Sequence, residues 1–140
     1  MRRVFLDTWA WIALGHRRDS RHGEVKQLYQ DLRREGALLF SSDYVVDGVI
    51  TLLFRRAPFD EAMTFCKALL AATQGYLNLE PVWPSRFAES WALREKFRDK
   101  PLISFTDLTT MVIMRELGIT EVVTEDEHFH HVGMGFQRLP

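Results

Sequence analysis

Arg3-Val4-Phe5-Leu6-Asp7-Thr8 is the stretch that decides the fold of this chain. Arg3 to Leu6 suit a buried strand and run directly into an acid. The apolar run does not continue through Asp7 without burying a charge, so the strand ends there. The carboxylate is thereby placed at a strand's C-terminal edge, where open α/β sheets put their ligand crevices. Taken alone, strand–Asp–Thr is better explained by Asp7 capping the helix that follows. The functional reading therefore depends on whether other acids reach the same edge.

Working outward, Trp9-Ala10-Trp11-Ile12-Ala13-Leu14 is apolar on almost every side and reads as a short helix ending at Gly15. Ser20 caps a second helix, with Val25, Leu28, Tyr29 and Leu32 at helical spacing and a stop at Gly36. Ala37 to Ser41 is a second strand. Ser42 or Asp43 then caps a helix carrying Val45, Val46, Val49, Leu52 and Leu53, which ends before Pro58. Asp60 to Leu70 is amphipathic and closes around Gly75, and Leu77 to Val82 alternates as a strand does. Pro84-Ser85 opens a helix with Phe87, Trp91 and Phe97. Ser104 opens another with Leu108, Met111, Val112 and Met114, ended by Gly118. Glu121 to Thr124 is a strand, and Gly135 to Leu139 is read as the last. Strands alternate with helices and tight hairpin signals are missing. The expected fold is therefore α/β, with a central parallel sheet and right-handed crossovers. Without repeats, low-complexity tracts or linkers, residues 1–140 form a single domain.

The composition agrees. With 140 residues at 46% hydrophobic content, the chain is long enough to bury one core, and four Trp and ten Phe exclude disorder. A net charge of -1 excludes bulk attraction to nucleic acid, so binding a polyanion requires local basic patches. The single cysteine, Cys66, falls in an apolar helical pattern, which excludes an intramolecular disulfide and suits a reducing compartment. No stretch approaches the length of a membrane span, and the chain reaches Asp7 too soon for a signal peptide's apolar region. The expectation is a cytoplasmic protein with no membrane partner.

In a parallel sheet all strands deliver their C-termini to one edge. Asp7 follows the first strand, Asp43 and Asp47 lie just beyond the second, and Glu125 and Asp126 follow Val122-Val123-Thr124. Asp107 lies in the first turn of the helix opened by Ser104. Each acid has a structural explanation: Asp107 completes a capping-box-like Ser104-x-x-Asp107, Asp126 belongs to an acidic solvated turn, and Asp43 is a plain cap. Independent caps, however, need not recur at one edge of one sheet. Clustered carboxylates raise one another's proton affinity unless cations neutralise them. Hard oxygen donors suit Mg²⁺ or Mn²⁺, and phosphodiester hydrolysis is the reaction that most often employs such a cluster.

Four stretches carry a family likeness: Val4-Phe5-Leu6-Asp7-Thr8, Ser42-Asp43-Tyr44-Val45-Val46-Asp47, Ser104-Phe105-Thr106-Asp107 and Val123-Thr124-Glu125-Asp126-Glu127-His128-Phe129. In that order, across essentially the whole chain, they resemble the PIN-domain family, and within it the VapC-type toxins of prokaryotic toxin–antitoxin pairs. No single motif is decisive, but the ordered set is specific. The resemblance implies a three-layer α/β/α domain that cleaves RNA with Mg²⁺ or Mn²⁺, forms a homodimer and is held inactive by a cognate antitoxin protein. It implies that Asp7, Asp107 and Asp126 are catalytic metal ligands. Thr106 matches the polar residue before the third acid, and Thr8 and Thr124 match hydroxyl positions beside the cluster. After Asp47 the family pattern calls for Glu, and this sequence has Gly48.

Gly48 is physically odd as well. Inside a helix glycine costs about 1 kcal/mol relative to alanine, and the apolar periodicity continues through Val49, Leu52 and Leu53 without asking for a turn. Three readings stand: a degenerate member with weakened chemistry, replacement of the missing carboxylate by Asp47, or an acquired or engineered inactivating change. Against the second, adjacent helical residues point about 100° apart.

The remaining features are read more plainly. His128, His130 and His131 suit a surface turn better than a transition-metal site, and Cys66 suits the core. Trp9 and Trp11 are packing residues, with base stacking as a second use. Basic groups at Arg17-Arg18, Arg33-Arg34, Arg55-Arg56 and Arg94 to Lys100 are mostly solvated faces. One or two near the acidic edge would hold RNA phosphates, and which ones the sequence leaves unassigned. Apolar surface around the first helices would receive an antitoxin segment or a second protomer. Two rivals remain. One is a non-catalytic PIN-like protein that binds an antitoxin or RNA. The other is a phosphotransferase of the haloacid-dehalogenase type, which expects a second Asp where this chain has Trp9.

Overall fold

The computed structural model describes residues 1–140. Five strands, β1 (Arg3–Leu6), β2 (Leu38–Ser42), β3 (Leu77–Glu80), β4 (Glu121–Val123) and β5 (Gln137–Leu139), form one sheet in the order β3-β2-β1-β4-β5. Every pairing is parallel, with Phe5 opposite Phe40 on one side and Val122 on the other. The central strands are buried on both faces, as a parallel sheet requires: Val4, Phe5 and Val122 are fully enclosed.

Seven helices flank the sheet: α1 (Thr8–Gly15), α2 (His22–Arg34), α3 (Asp43–Arg56), α4 (Phe59–Thr73), α5 (Pro84–Lys96), α6 (Phe105–Leu117) and α7 (His128–His131). The first four pack on one another, and α5 packs on α6. Helix α1 is apolar around most of its circumference because it is a core helix, with Ala10, Trp11, Ile12 and Ala13 all buried. Its last residue, Gly15, is there for lack of a side chain, since a Cβ would stand 2.8 Å from the Phe65 ring and 2.9 Å from Leu53. No helix is long and apolar enough to cross a membrane.

Three element boundaries differ from the sequence reading, each for a local reason. The second helix begins at His22, not at Ser20, because the Asp19 carboxylate accepts the Arg21 N–H at 2.9 Å and holds the chain in a turn. Strand β3 stops at Glu80 because Pro81 has no donor for the ladder. The short helix α7 has no counterpart in the sequence reading, where its histidines suggest only a turn.

One buried cation fastens α5 to its surroundings. The Arg86 side chain is 6% exposed, pairs with Glu80 at 3.0 Å and with Glu116, and donates to the Pro81 carbonyl at 2.8 Å. Removing a partner from a buried pair costs about 3–5 kcal/mol, but Glu116 keeps nearly half its exposure and can rehydrate. Arg86→Ala is therefore expected to destabilise the fold by about 2 kcal/mol in urea unfolding, and an unchanged midpoint would show the network to be idle.

Candidate active site

The chain runs β1 to β2 to β3 towards one edge of the sheet, then crosses to place β4 and β5 on the other side of β1. The C-terminal ends of β1 and β4 are thus the topological switch point, where such sheets open a crevice. The register pairs Leu6 with Val123, so Asp7 and Thr124 leave the sheet side by side. The Asp7 amide donates to the Val123 carbonyl at 3.3 Å. The Thr124 hydroxyl donates to Asp7 Oδ2 at 3.0 Å and accepts the Asp126 amide at 3.1 Å. Asp126 Oδ1 in turn accepts the His128 amide at 2.9 Å, which folds the chain after β4 back over the crevice. Asp107 arrives from the opposite direction, in the first turn of α6.

These contacts separate capping from chemistry. Asp7 occupies the N-cap position of α1 but makes no side-chain cap hydrogen bond, is 3% exposed, and leaves Oδ1 without a hydrogen-bond partner. Helix α6 is capped by Ser104, whose hydroxyl accepts the Asp107 amide at 3.0 Å, leaving the Asp107 carboxylate to face the crevice. Helix α3 is likewise capped by Ser42, which accepts the Val45 amide at 3.1 Å. Asp43 is structural: it accepts the Tyr44 and Val82 amides at 2.9 and 3.0 Å.

Asp7, Asp107 and Asp126 line one cavity of about 580 Å³, together with Thr124, Glu125, Glu127, His128 and His131, and with Trp9 as the only apolar residue. Like charges so close, partly out of water, hold on to protons. Burial pushes Asp7 up to about 6, with Asp126's charge adding to it, against the pull of the Thr8 amide and the Thr124 hydroxyl. Burial pushes Asp107 up to about 8, reinforced by the charges of Asp7 and Asp126 and by a hydrogen bond to Asp126. In the free protein, then, Asp107 holds its proton well above the ordinary carboxylate range.

An orphaned, buried carboxylate oxygen among proton-hoarding acids is a donor set that fits a hard divalent cation. No three such side chains stand close enough together in this structure to hold a metal as they are. A Cβ at position 48 would lie 3.9 Å from both Cγ2 and Oγ1 of Thr8, the residue after Asp7, and would meet nothing else outside its own helix. Gly48 thus lies beside Thr8 of α1 with open space around its Cβ position. Asp47, its neighbour, is exposed and lies outside the acidic cavity. Thr8 lines an adjoining cavity, and Thr106 lines neither, its carbonyl accepting the Thr109 hydroxyl at 2.6 Å.

The structure adds residues that the sequence reading left aside. His128 and His131 are not on a free surface turn; α7 sets them on the cavity wall, with His128 Nδ1 2.8 Å from Asp126 Oδ1 but out of line for a hydrogen bond. The spacing Asp126-x-His128, typical of a carboxylate accepting the amide two residues on, was the available signal. Trp11 packs as expected, its indole donating to Ser41 at 3.2 Å, whereas Trp9 is only half-buried.

A family model described as PIN domain matches residues 4–134. The chain is 28% identical over 130 residues to the 23S rRNA-specific endonuclease VapC20 of Mycobacterium tuberculosis, covering 93% of this chain and 94% of that one. The crystal structure of Mycobacterium tuberculosis VapC20, described as a sarcin–ricin-loop-cleaving toxin, superposes with a TM-score of 0.81 at 27% identity over 93% of this chain and 95% of the other. VapBC2 from Rickettsia felis, crystallised on a promoter DNA fragment, shares the fold at a TM-score of 0.72 and 13% identity, covering 98% and 97%.

Proposed function

The chain belongs to the PIN-domain family, and from that footing we propose that it is a VapC-type endoribonuclease toxin, dependent on Mg²⁺ or Mn²⁺ and weakened by Gly48. The observation that carries the reading is the meeting of Asp7, Asp107 and Asp126 at the β1/β4 switch point, with one buried oxygen of Asp7 left unbonded. In this reading Asp7, Asp107 and Asp126 hold the cation. A cation so held activates water and neutralises the charge of the cleaved phosphodiester. Asp7 offers Oδ1 because Thr124 occupies Oδ2, and Asp126 is held by the His128 amide. RNA is the substrate, a cognate antitoxin is the restraining partner, and the cytoplasm is the setting.

The reading is tested by incubating RNA with Mg²⁺ or Mn²⁺ and the Gly48→Glu protein, alone and combined with Asp107→Ala. Cleavage by the first and none by the second is expected. Intact RNA in both would instead favour a PIN-like binding protein without catalysis.

Thr124 is the positioning residue of this site, 2% exposed and acting through Asp7. Losing such a partner of a metal ligand typically costs 10–100-fold, so Thr124→Val is expected to lower cleavage by roughly 30-fold. Thr124→Ser should restore most of it, which a packing defect would not allow.

The homodimer has a face available in α5 and the residue before it. Trp83, Phe87 and Trp91 recur four residues apart and are 55%, 47% and 55% exposed. Sedimentation at the mass of two chains, reduced to one by Trp91→Glu, is the expected result; a single-chain mass for the unaltered protein would remove the dimer from the reading.

A further inference from the structure

The acidic cavity presents a problem to the substrate proposed for it. Five of its lining residues, Asp7, Asp107, Glu125, Asp126 and Glu127, are carboxylic acids. A polyanion that approaches only through that cavity meets repulsion everywhere except at a bound cation. With a net charge of -1 the chain offers no global attraction. Something beside the cavity must hold the strand.

A second cavity, of about 420 Å³, adjoins the first, and the two share Trp9 and Glu125 as their common wall. It is also lined by Asp19, by Arg21, from the turn before α2, and by Arg56, the last residue of α3. Most of the other arginines are engaged elsewhere. Arg2 pairs with Glu35 and Glu121, Arg17 with Glu61, Arg34 with Asp31, and Arg86 with Glu80 and Glu116, while Arg33 lies over the Tyr76 ring. Arg56 is exposed and makes no hydrogen bond or ion pair with the chain. Arg21 is held firmly by Glu24 at 2.6 Å but only loosely by Glu125 at 3.4 Å, so one of its amino groups is easily handed to another anion.

Trp9 completes the arrangement. It is the one apolar residue on the wall of the acidic cavity, half-buried and two residues from Asp7, and the Arg21 guanidinium lies over its ring at 5.3 Å from the centroid. The indole and the nearby guanidinium together offer an aromatic face and a cation. Unpaired bases stack on either plane, and duplex bases do not offer a free face.

Resting on the ribonuclease reading above, we infer that this second cavity is the channel by which single-stranded RNA enters the site. One base stacks on the Trp9–Arg21 pair, and the neighbouring phosphate is held by Arg56. Trp9 and Arg56 are then substrate-positioning and specificity-determining residues: they select unpaired RNA and bring the adjoining phosphodiester over Asp7.

The test separates binding from cleavage. A fluorescein-labelled single-stranded RNA oligonucleotide is titrated in EDTA at several salt concentrations, by anisotropy, with the unaltered protein and with Arg56→Ala, Trp9→Ala, Trp9→Phe and, as a remote control, Arg33→Ala. Trp9→Ala is expected to weaken binding about tenfold, and Trp9→Phe to keep most of it. Arg56→Ala should flatten the dependence of log K on log salt by about 0.7, the contribution of one single-strand phosphate. Arg33→Ala and the unaltered protein should coincide, and a duplex of the same sequence should bind more weakly to both. The inference is overturned if Arg56→Ala and Trp9→Ala both match the unaltered protein, or if duplex and single strand bind alike. Either result leaves the ribonuclease reading intact, because that reading stands or falls on cleavage by the Gly48→Glu protein. Loss of the Trp9→Ala protein to misfolding leaves Arg56→Ala and the duplex comparison to decide.

Discussion

Replacing Gly48 with glutamate is expected to raise metal-dependent RNA cleavage by about 100-fold, the scale on which one preorganised charged group matters at a transition state. The space is already there. The Cβ of a substituted residue meets only Thr8, at 3.9 Å, the residue after Asp7, whose Oδ1 is buried and unbonded. A further negative oxygen ligand strengthens the hold on a hard cation. The helix gains as well, because glutamate is a far better helix former than glycine, by roughly 0.5–1 kcal/mol. The gain in rate should be accompanied by tighter Mn²⁺ binding in calorimetry of the protein without RNA. Asp47→Ala should change neither, since Asp47 is exposed and outside the acidic cavity. Equal cleavage by the Gly48 and Gly48→Glu proteins, or loss of cleavage on removing Asp47, would show that the missing carboxylate is supplied from elsewhere.

How much of this was legible in the sequence depended on whether period and register had something to act on. The parallel sheet was legible because β1, β2, β3 and β4 each show a short run suited to a strand, bounded by turn or cap residues, with helical spacing between them. Asp7 and Asp126 could be placed together because both follow strands of one parallel sheet, and Asp107 because Ser104 marks a helix start. Helix α7 was not legible: four residues, three of them histidine, carry no periodicity that distinguishes a helical turn from a loop. Trp9 packs against the core as read, but its place on the cavity wall was not legible. In an apolar run both tryptophans read as core, yet residues two apart in a helix point about 200° apart, so that Trp11 is 2% exposed while Trp9 looks into the acidic cavity. The same geometry sets Gly48 and Asp47, one residue apart, about 100° from each other on α3. Arg86 was lost among surface charges because nothing in a sequence distinguishes a buried cation from a solvated one; only the convergence of Glu80 and Glu116 does.

Asp107→Asn is expected to abolish cleavage and, at the same time, to make the metal-free protein more stable at pH 8. Both effects have one cause. Burial and the neighbouring Asp7 and Asp126 charges hold the folded-state value of Asp107 at about 8, against an ordinary 3.8. Below the ordinary value the folded and unfolded chains both carry the proton, and the group contributes no pH dependence. As pH rises above it the unfolded chain releases the proton freely, whereas the folded chain keeps it or exposes bare charges to one another. The folded state therefore loses stability across the window from about 4 to about 8, and Asp7, raised to about 6, adds to the same trend over the lower part of it. An amide at position 107 removes the larger share of that penalty. Its melting temperature in EDTA should exceed that of the unaltered protein by about 5 °C at pH 8 and by much less at pH 5. Mn²⁺ should reverse the order, raising the melting temperature of the unaltered protein while leaving Asp107→Asn nearly where it was, because a cation repays the repulsion only where the carboxylates remain to bind it. A variant that melts lower than the unaltered protein at pH 8 in EDTA would mean that Asp107 serves the fold, and the site would lose its character as a cluster held together for a cation.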